Sequence, residues 1–398
     1  MGAGALVQAL VVVLAVVILA TTGLFARKMT RQAVRRRQAR RRAALAELVG
    51  DLVMGTRQIP RRLLRRRRDP LLCEVVLEHL RFLRGSERER LLVLTRASGM
   101  IDWLRADLTG FGRRRRVRAA QALVEVADAS TIPLLLSLLT DSDEDVGVHA
   151  ALAIAAIGDA QAVPNLLACM ERSSEWAALR IADGLGRLGP QAVPELCAHL
   201  GSGGRYRPVV ARILGSIGDR SAEPALLAVL DTPDTELRVR ATAALGRCGG
   251  PASTPRLMAL LGDGAWEVRA QAATALGQVL EPAAVPYLAH ALRDPAWWVR
   301  QNAAMSLARI PGGTEALVAE IDGDDPYARD AAAAALLVTG AADRAVGDLE
   351  ADEPEVRARS EDLVRHLLDA GKAEYLRAVG MADREVRSLR VIPGGRAR

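Results

Sequence analysis

A period of about 31 residues constrains the fold of this chain more than any other feature of its sequence. Prolines mark the period at spacings of 30 or 31 residues, and most of the segments before them end in glycine. An apolar run follows each proline. A fixed period of this length predicts stacked copies of one small unit rather than a single globular core. The marker prolines are Pro133, Pro164, Pro194, Pro224, Pro255 and Pro286.

One unit, residues 263–293, shows what is repeated. Its first segment places apolar residues from Val268 to Leu276 on one face of a helix. After a break, Pro286 suits the first turn of a second helix, where no backbone N–H is needed. Asp294 can cap the next helix, with Pro295 at its first position. Each unit is therefore predicted to be two antiparallel helices, whose apolar stripes are buried only when neighbouring units stack.

The recurring pattern of an aspartate, Val-Arg, spaced alanines, Leu-Gly and then Ala-Val-Pro resembles the short type of HEAT repeat first noted in phycobilisome lyases. The resemblance covers roughly residues 116–370. It implies an all-α fold, a right-handed α-solenoid of antiparallel helix pairs. It implies function only as a class, because the family includes lyases, scaffolds and many proteins of unassigned role. The clearest matches are Val268-Arg269 with Leu276-Gly277, Val239-Arg240 with Leu245-Gly246, and Val299-Arg300 with Leu307.

Residues 1–26 contain no charged side chain, and residues 3–25 are almost wholly apolar. As a helix this stretch would be about 33 Å long, enough for the ~30 Å hydrocarbon layer of a membrane. A cleaved signal peptide is the alternative, but no lysine or arginine precedes the apolar run and dense positive charge follows it. The sequence therefore predicts one transmembrane helix over residues 1–26, in addition to the solenoid.

A basic segment, residues 27–69, follows the apolar stretch. Because positive charge stays on the cytoplasmic side, this asymmetry predicts a single pass through the inner membrane, with the N-terminus outside and the repeat domain in the cytoplasm. Anionic lipid headgroups are the predicted contact of the first basic residues, at ~1 kcal/mol each. These residues are Arg27, Lys28, Arg31, Arg35, Arg36, Arg37, Arg40, Arg41 and Arg42.

Charge divides the chain into two parts of opposite sign. Residues 26–118 contain 27 basic and 9 acidic side chains, whereas residues 119–398 contain 27 basic and 38 acidic ones. Nucleic-acid binding calls for a basic patch on the folded domain, so acidic repeats argue against it. The sequence therefore predicts a protein partner and anionic lipids, and no nucleic acid.

The rest of the domain organisation follows from where the repeat begins and ends. Residues 70–115 have helical patterns that do not fit the repeat, so we expect them to cap the solenoid and cover its exposed apolar end. Pro60 and residues 65–70 are typical of a linker before this cap. The repeats occupy residues 116–370, and residues 371–398 are expected to be a loose tail.

No motif in the sequence predicts chemistry. The four cysteines form no C-x-x-C pair, the five histidines are dispersed, and no P-loop, nucleophile elbow or HExxH pattern occurs. The many glycines are interpreted as helix ends rather than phosphate loops. We therefore expect a protein that is not an enzyme, with no catalytic residue, cofactor or metal.

Arginine recurs near the start of the first helix of each unit, and aspartate recurs just before it. The predicted role is a structural ladder, in which each arginine contacts carboxylates or carbonyls of its own or the next repeat. The alternative is a row of arginines that binds an acidic ligand. The arginines are Arg118, Arg240, Arg269, Arg300, Arg329 and Arg357, and the aspartates are Asp234, Asp263, Asp294, Asp325 and Asp352.

Aromatic residues make up only 3% of the chain, yet four of them fall at comparable places in successive repeats. Trp266, Trp297, Trp298 and Tyr327 start first helices, so we expect a stripe along one edge. Such side chains are enriched at protein interfaces. The alternative is that they fill gaps between alanine-rich helices. The stripe is one candidate partner-binding site.

A degenerate unit, residues 173–210, is the second candidate partner-binding site. The Val-Arg pattern is lost there, and a glycine-rich loop contains Arg205 and Tyr206. Such a unit either bends the solenoid, presents a loop to a partner or reflects neutral decay.

The predicted function is a membrane-anchored cytoplasmic scaffold or adaptor that binds a partner protein through the repeat surface. Some bacterial proteins with a similar layout are encoded beside membrane glycosyltransferases, so the resemblance implies a partner in envelope or exopolysaccharide synthesis. The alternative function is that of the lyases for which the repeat is known: a lyase, or a lyase-like chaperone, that attaches a prosthetic group such as a bilin to an acceptor protein.

Overall fold

The computed structural model describes residues 3–60, 68–110, 112–126, 128–250, 252–369, 371–378 and 381. Within these residues every regular element is a helix and no strand occurs. The chain divides into two compact units, residues 1–157 and 158–398, which we call unit 1 and unit 2. The all-α prediction is confirmed for this part of the chain.

In the described residues, unit 1 begins with one long helix and continues with six shorter ones. Leucines such as Leu72, Leu91 and Leu123 are fully buried and form its core. The helices are α1 (Ala3–Met54), α2 (Pro70–Leu80), α3 (Gly85–Ala97), α4 (Met100–Leu108), α5 (Arg113–Val126), α6 (Ile132–Leu138) and α7 (Glu144–Ile157).

The end of α1 packs against α2 and α3. Leu48 and Val49 are buried there, and Arg90 of α3 donates a hydrogen bond of 2.7 Å to the Val53 carbonyl. The predicted basic segment is therefore not separate from the predicted cap, because its helix supplies part of the cap's core. Of the predicted linker, residues 61–67 lie outside the described residues.

The predicted transmembrane anchor over residues 1–26 requires correction. The apolar stretch from residue 3 onward is not a separate element but the start of α1, a 52-residue helix that runs without a break into the arginine-rich segment. No helix in the described part of the chain is long and apolar enough to cross a membrane. The predicted transmembrane helix is therefore wrong, and with it the single-pass inner-membrane location that placed the N-terminus outside and the repeats in the cytoplasm.

Unit 2 alternates the first and second helices of successive repeats. The second helices are α8 (Val163–Arg172), α10 (Val193–Ser202), α12 (Glu223–Ala228), α14 (Thr254–Ala259), α16 (Val285–Ala291), α18 (Gly313–Ile321) and α20 (Ala341–Gly347). The first helices are α9 (Glu175–Arg187), α11 (Arg207–Ile217), α13 (Thr235–Cys248), α15 (Trp266–Val279), α17 (Trp297–Leu307), α19 (Pro326–Val338) and α21 (Pro354–Asp369).

The marker prolines start the second helices, as the sequence predicts. Pro164, Pro194 and Pro286 lie in the first turn of α8, α10 and α16. A short 3₁₀ turn precedes each of these helices, and in the first of these repeats the Asp159 carboxylate accepts a hydrogen bond from the N–H of Gln161 to begin that turn. Proline is favoured there because its fixed φ suits the helix and its missing N–H would have no partner.

The first helices of unit 2 contact one another in sequence from α9 to α19 and form one layer. Alanine and glycine permit the close approach. A Cβ on Gly215 would lie 2.7 Å from the Ala244 Cα, and one on Gly277 would lie 2.8 Å from the Ser306 Cα. Gly215 and Gly277 lie inside the last turns of α11 and α15, where they permit packing and do not end the helix. The interpretation that glycines end helices holds for others, such as Gly218 with its φ of 73°.

The C-terminal part of unit 2 ends in a short helix, α22 (Ala373–Ala378). Met381 is buried. Residues 370, 379–380 and 382–398, which include most of the predicted loose tail, lie outside the described residues.

A candidate protein-binding edge in unit 2

The first helices α9, α11, α13, α15, α17 and α19 are consecutive neighbours, so their N-terminal ends line one edge of unit 2. The predicted aromatic residues lie at this edge. Trp266 begins α15, Trp297 and Trp298 begin α17, and Tyr327 lies in the first turn of α19. All four are exposed, between 42% and 65% of their accessible area. Side chains this exposed do not fill gaps between helices.

Trp176 extends the same series, and the sequence pattern did not single it out. It lies in the first turn of α9, two residues after Ser174, whose hydroxyl caps the helix by accepting a hydrogen bond from the Ala177 N–H. At 75% exposed it is the most exposed tryptophan of the described residues. The sequence feature that could have identified it is a serine that caps the helix, with an aromatic residue in the first helical turn. We call Trp176, Trp266, Trp297, Trp298 and Tyr327 the aromatic edge.

Two contacts hold parts of the aromatic edge in place. The rings of Trp297 and Trp298 meet edge to face, with centroids 4.6 Å apart and planes at 79°. The Arg300 guanidinium of α17 lies 5.0 Å from the centre of the Tyr327 ring in α19. An arginine over an aromatic face is held by cation–π attraction. The rings of Trp297, Trp298 and Tyr327 are therefore positioned before any partner binds.

Beneath the aromatic edge, arginines of the first helices bind aspartates of the next repeat. The Arg238 guanidinium donates two hydrogen bonds of 3.0 Å to Asp263, and Arg269 donates two, of 2.6 and 3.0 Å, to Asp294. The third guanidinium nitrogen of each arginine donates a hydrogen bond to the backbone carbonyl six residues earlier. For Arg238 this is the carbonyl of Thr232. This is the structural ladder that the sequence predicted.

The arginines that form the ladder are not all the ones that the sequence predicted. In α13 the ladder residue is Arg238, and the predicted Arg240 lies two residues further on. Arg300 keeps the carbonyl contact, with Asp294, but forms no ion pair with a described carboxylate and lies over Tyr327 instead. Arg329 and Arg357 are exposed and form no ion pair within the described part of the chain.

The ladder keeps its groups ionised. Burial acts against the charge of Asp263, but hydrogen bonds from Arg238 and from the Ala265 N–H, with the Arg238 charge, lower its pKa. The hydrogen bond to Asp294 raises the pKa of Arg269, although partial burial opposes the effect. The same aspartates shape the starts of the first helices, since Asp263 accepts from the N–H of Ala265 and Asp294 from that of Ala296.

The second candidate site, the loop with Arg205 and Tyr206, is part of the packing. Tyr206 is only 6% exposed, and its hydroxyl donates a 3.0 Å hydrogen bond to the Ser173 carbonyl. Glu171 accepts from the backbone N–H groups of Arg205 and Tyr206 and contacts His199 Nε2 at 2.9 Å. The degenerate repeat is therefore closed by the half-buried Glu171 carboxylate, and Tyr206 is almost wholly buried.

The Arg205 guanidinium lies 5.0 Å from the centre of the Tyr206 ring. It lines a cavity of about 370 Å³ at the N-terminal ends of α9, α11 and α13, together with Arg212 and Arg240. Glu175 and Glu236 line it as well. The predicted ladder arginine Arg240 thus faces this cavity, beside its ion pair with Glu236 at 3.6 Å.

Two buried thiols and the placement of possible metal ligands bear on the chemistry of the described residues. Burial raises the pKa of Cys73 to about 12 and that of Cys248 to about 11, so neither thiol ionises near neutral pH. Within the described residues no three His, Cys, Asp or Glu side chains are grouped to hold a metal ion.

The nine basic residues predicted to contact lipid headgroups all lie on α1. Those from Arg27 to Arg40 are exposed. Arg41 and Arg42 instead pair with α2 and its cap: Arg41 with Asp69, and Arg42 with Glu74 and Glu78. Two of the nine residues therefore attach α1 to the rest of unit 1.

Comparison with known proteins identifies the fold. The profile of the HEAT repeats matches residues 102–182, 204–267 and 254–337, which is more than half of the chain. No curated protein is similar enough in sequence to count as a match.

Among solved structures, the chain is similar to the karyopherin Kap121p bound to Pho4p, at 15% identity and a TM-score of 0.50. The similarity covers 86% of this chain and 42% of Kap121p, so the chain spans less than half of that protein. Kap121p bound to RanGTP gives 15% identity, a TM-score of 0.50, and 85% and 44% coverage. An engineered protein is 21% identical over 73% of this chain and 96% of its own, with a TM-score of 0.37.

At these identities the solved structures establish the fold alone, a solenoid of helix pairs. The repeat itself is established by the profile match over more than half of the sequence, and by the alternation of first and second helices in unit 2. Solenoids of this kind present extended surfaces for protein partners. The chain belongs to the HEAT-repeat family.

Proposed function

We propose that the protein is a non-catalytic scaffold that binds a protein partner along the aromatic edge of unit 2. The observation that carries the proposal is the exposure of this edge. Four of the chain's five tryptophans lie there and remain in contact with solvent. Large exposed aromatic groups in a folded protein are typical of interaction sites, where they become the residues that contribute most to affinity.

The charged residues around the aromatic edge favour a partner whose binding surface is apolar at its centre and basic at its rim. Glu267 and Asp324 are exposed close to Trp266 and Tyr327 in the sequence, whereas the ladder aspartates are paired with arginine and Asp330 is paired with Lys372 at 3.7 Å. Rim charges act mainly on the rate and specificity of association. Indole and phenol rings also attract the cationic side chains of a partner.

The proposed test replaces exposed rings and follows binding. A photo-crosslinking amino acid at Trp176 or Trp298 should join the full-length protein to one protein in stoichiometric amount. With that protein purified, Trp297→Ala and Trp298→Ala should each weaken binding by roughly 30-fold or more, which corresponds to ~2 kcal/mol. The melting temperature should not change, because these rings are exposed.

Tyr287 provides the matched control. It is exposed to a similar extent, 51%, but belongs to the second helix α16 rather than to the edge. Tyr287→Ala should leave the affinity within about twofold of the original protein. Equal losses for Tyr287→Ala and Trp297→Ala, or a melting temperature lowered by both tryptophan substitutions, would remove the basis for the proposal.

The finer functions remain predictions from the family resemblance. A glycosyltransferase of envelope or exopolysaccharide synthesis is one partner that the crosslinking experiment can identify. The alternative function is that of a lyase or lyase-like chaperone for a bilin. It requires that an acceptor protein carries a covalently attached, coloured bilin when the chain is co-expressed with a bilin source.

A further inference from the structure

Unit 1 contains a cavity of about 620 Å³ between α2, α4 and α5. Its apolar wall includes Leu77, Leu104 and Ala122. Sites for small molecules have volumes in this range and combine apolar walls with a few polar groups. None of the residues that line the cavity belongs to the aromatic edge, so the function proposed above does not account for it.

The acidic side chains at the cavity are already paired. Each of the three carboxylates has an arginine partner, and these partners hold them at the wall. The pairs are Asp107 with Arg68 at 2.9 Å, Glu74 with Arg42 at 3.1 Å, and Glu125 with Arg88 at 3.7 Å.

Three further arginines line the same cavity without such a partner. Arg81, Arg115 and Arg118 form no ion pair with any described carboxylate, and the Arg118 Nε donates only to the Arg114 carbonyl, at 3.2 Å. The cavity therefore has an excess of positive charge.

The local sequence explains why Arg118 reaches the cavity. It belongs to an Arg-Val-Arg triplet whose first member, Arg116, binds Asp141 at 3.2 Å as a ladder residue does. The second arginine of the triplet, Arg118, lies two residues later on the helix and points away from the ladder. The same triplet in unit 2 places Arg238 in the ladder and Arg240 at a cavity. The ladder role that the sequence predicted for Arg118 therefore belongs to Arg116.

Trp103 adds an unsatisfied donor to the cavity wall. Its indole Nε1–H is buried, and no described atom accepts a hydrogen bond from it. Buried donors without an acceptor are rare in folded proteins and call for a bound water or ligand. The Arg68 guanidinium lies 5.6 Å from the ring centre, which fixes the ring beside Asp107.

From these observations we infer that the unit 1 cavity binds an organic phosphate, a small molecule that joins a phosphate to a planar or apolar body. The forked guanidinium groups of Arg81, Arg115 and Arg118 suit the oxygens of a phosphate. The body contacts Leu77, Leu104 and Ala122. An acceptor atom of the ligand, or a water that it holds, satisfies the Trp103 N–H.

Isothermal titration calorimetry on the full-length protein tests the inference with three probes: adenosine 5′-monophosphate, inorganic phosphate and glycerol phosphate. Adenosine monophosphate should bind at least about tenfold more tightly than inorganic phosphate, since it fills the apolar part of the cavity as well. Glycerol phosphate should bind no more tightly than inorganic phosphate. Tighter binding of glycerol phosphate than of the nucleotide would overturn the inference, because a lipid headgroup would then be the better ligand.

Arg115→Ala and Arg118→Ala should each weaken nucleotide binding by roughly tenfold or more, because each removes charge-assisted hydrogen bonds. Arg114→Ala is the matched control, since Arg114 is exposed on the same helix and does not line the cavity. It should change the affinity by less than about twofold. The Trp103→Phe variant should lower the affinity as well.

Equal losses at Arg114 and Arg115 would reduce the effect to general attraction of anions by a basic segment and would overturn the inference. So would an affinity for the nucleotide no greater than that for phosphate. Because Arg115 is exposed and forms no ion pair with a described carboxylate, its substitution should leave the circular dichroism spectrum and the melting temperature unchanged.

Discussion

Single glycines determine how closely the first helices of unit 2 approach one another. Glycine inside a helix normally costs about 1 kcal/mol relative to alanine, because the unfolded chain has more freedom to lose. At Gly215 this cost is offset, because the missing side chain allows α11 to pack closely against α13. A Cβ there would lie 2.7 Å from the backbone Cα of Ala244 in the neighbouring helix, closer than atoms can pack. Helix propensity and packing therefore predict opposite signs for the same substitution.

Gly215→Ala should destabilise the protein by about 1–3 kcal/mol, because α11 and α13 must move apart to admit the methyl group. Gly201→Ala is the matched control. Gly201 is also inside a helix, α10, but nothing lies within 4 Å of the position a Cβ would take. It should stabilise by up to about 1 kcal/mol. Chemical denaturation of both variants measures the two signs, and stabilisation by Gly215→Ala would contradict the close approach.

The residue scale is also where the sequence predicted the candidate site least well. Periodicity identifies an arginine near the start of a first helix, but it does not distinguish Arg238 from Arg240. Two residues along a helix turn a side chain by about 200°, from the ladder to the cavity. The sequence pattern did not identify Trp176 as part of the aromatic edge, because its repeat lacks the Val-Arg pattern that marks the other repeats.

Helices and their order followed from the sequence much more reliably. Pattern and proline spacing predicted the paired helices, since an apolar stripe at helical spacing must be buried against a neighbour. The end of α1 shows the limit of such reasoning. Charge and composition assigned residues 27–69 to a separate segment, whereas Leu48 and Val49 pack inside unit 1. Composition averages over a helix, but burial is decided by one face of it.

Leu48→Ala tests whether the end of α1 belongs to the core of unit 1. Leu48 is 4% exposed, and its truncation should cost about 2–5 kcal/mol through lost burial and the cavity left behind. Val34→Ala in the same helix is the control, since Val34 is 55% exposed and should change stability by less than about 0.5 kcal/mol. Hydrogen exchange should report faster exchange in α2 and α3 for Leu48→Ala only. Equal stabilities for the two variants would mean that α1 contributes nothing to that core.

Across the whole molecule, charge is separated along the chain. The net charge of +7 and the pI of about 9.8 describe neither part, because a strongly basic first third precedes acidic repeats. At physiological salt, charges more than about 8 Å apart are largely screened from each other, so each part attracts its own partners. The protein is therefore suited to two kinds of contact at once, an anionic one through the basic part and a protein one through the aromatic edge.

The exposed basic residues of α1 should bring the full-length protein onto vesicles that contain anionic lipid. The triple variant Arg35→Glu, Arg36→Glu and Arg37→Glu should lower the fraction that sediments with the vesicles at least tenfold, because each basic residue near such a surface contributes ~1 kcal/mol. The same charge change at Arg220, Arg247 and Arg309, which are exposed in unit 2, is the control and should have little effect. Raising the salt concentration should release the original protein, since this attraction is screened. Undiminished sedimentation at high salt, or equal losses in both triple variants, would show that Arg35, Arg36 and Arg37 do not hold the protein at the surface.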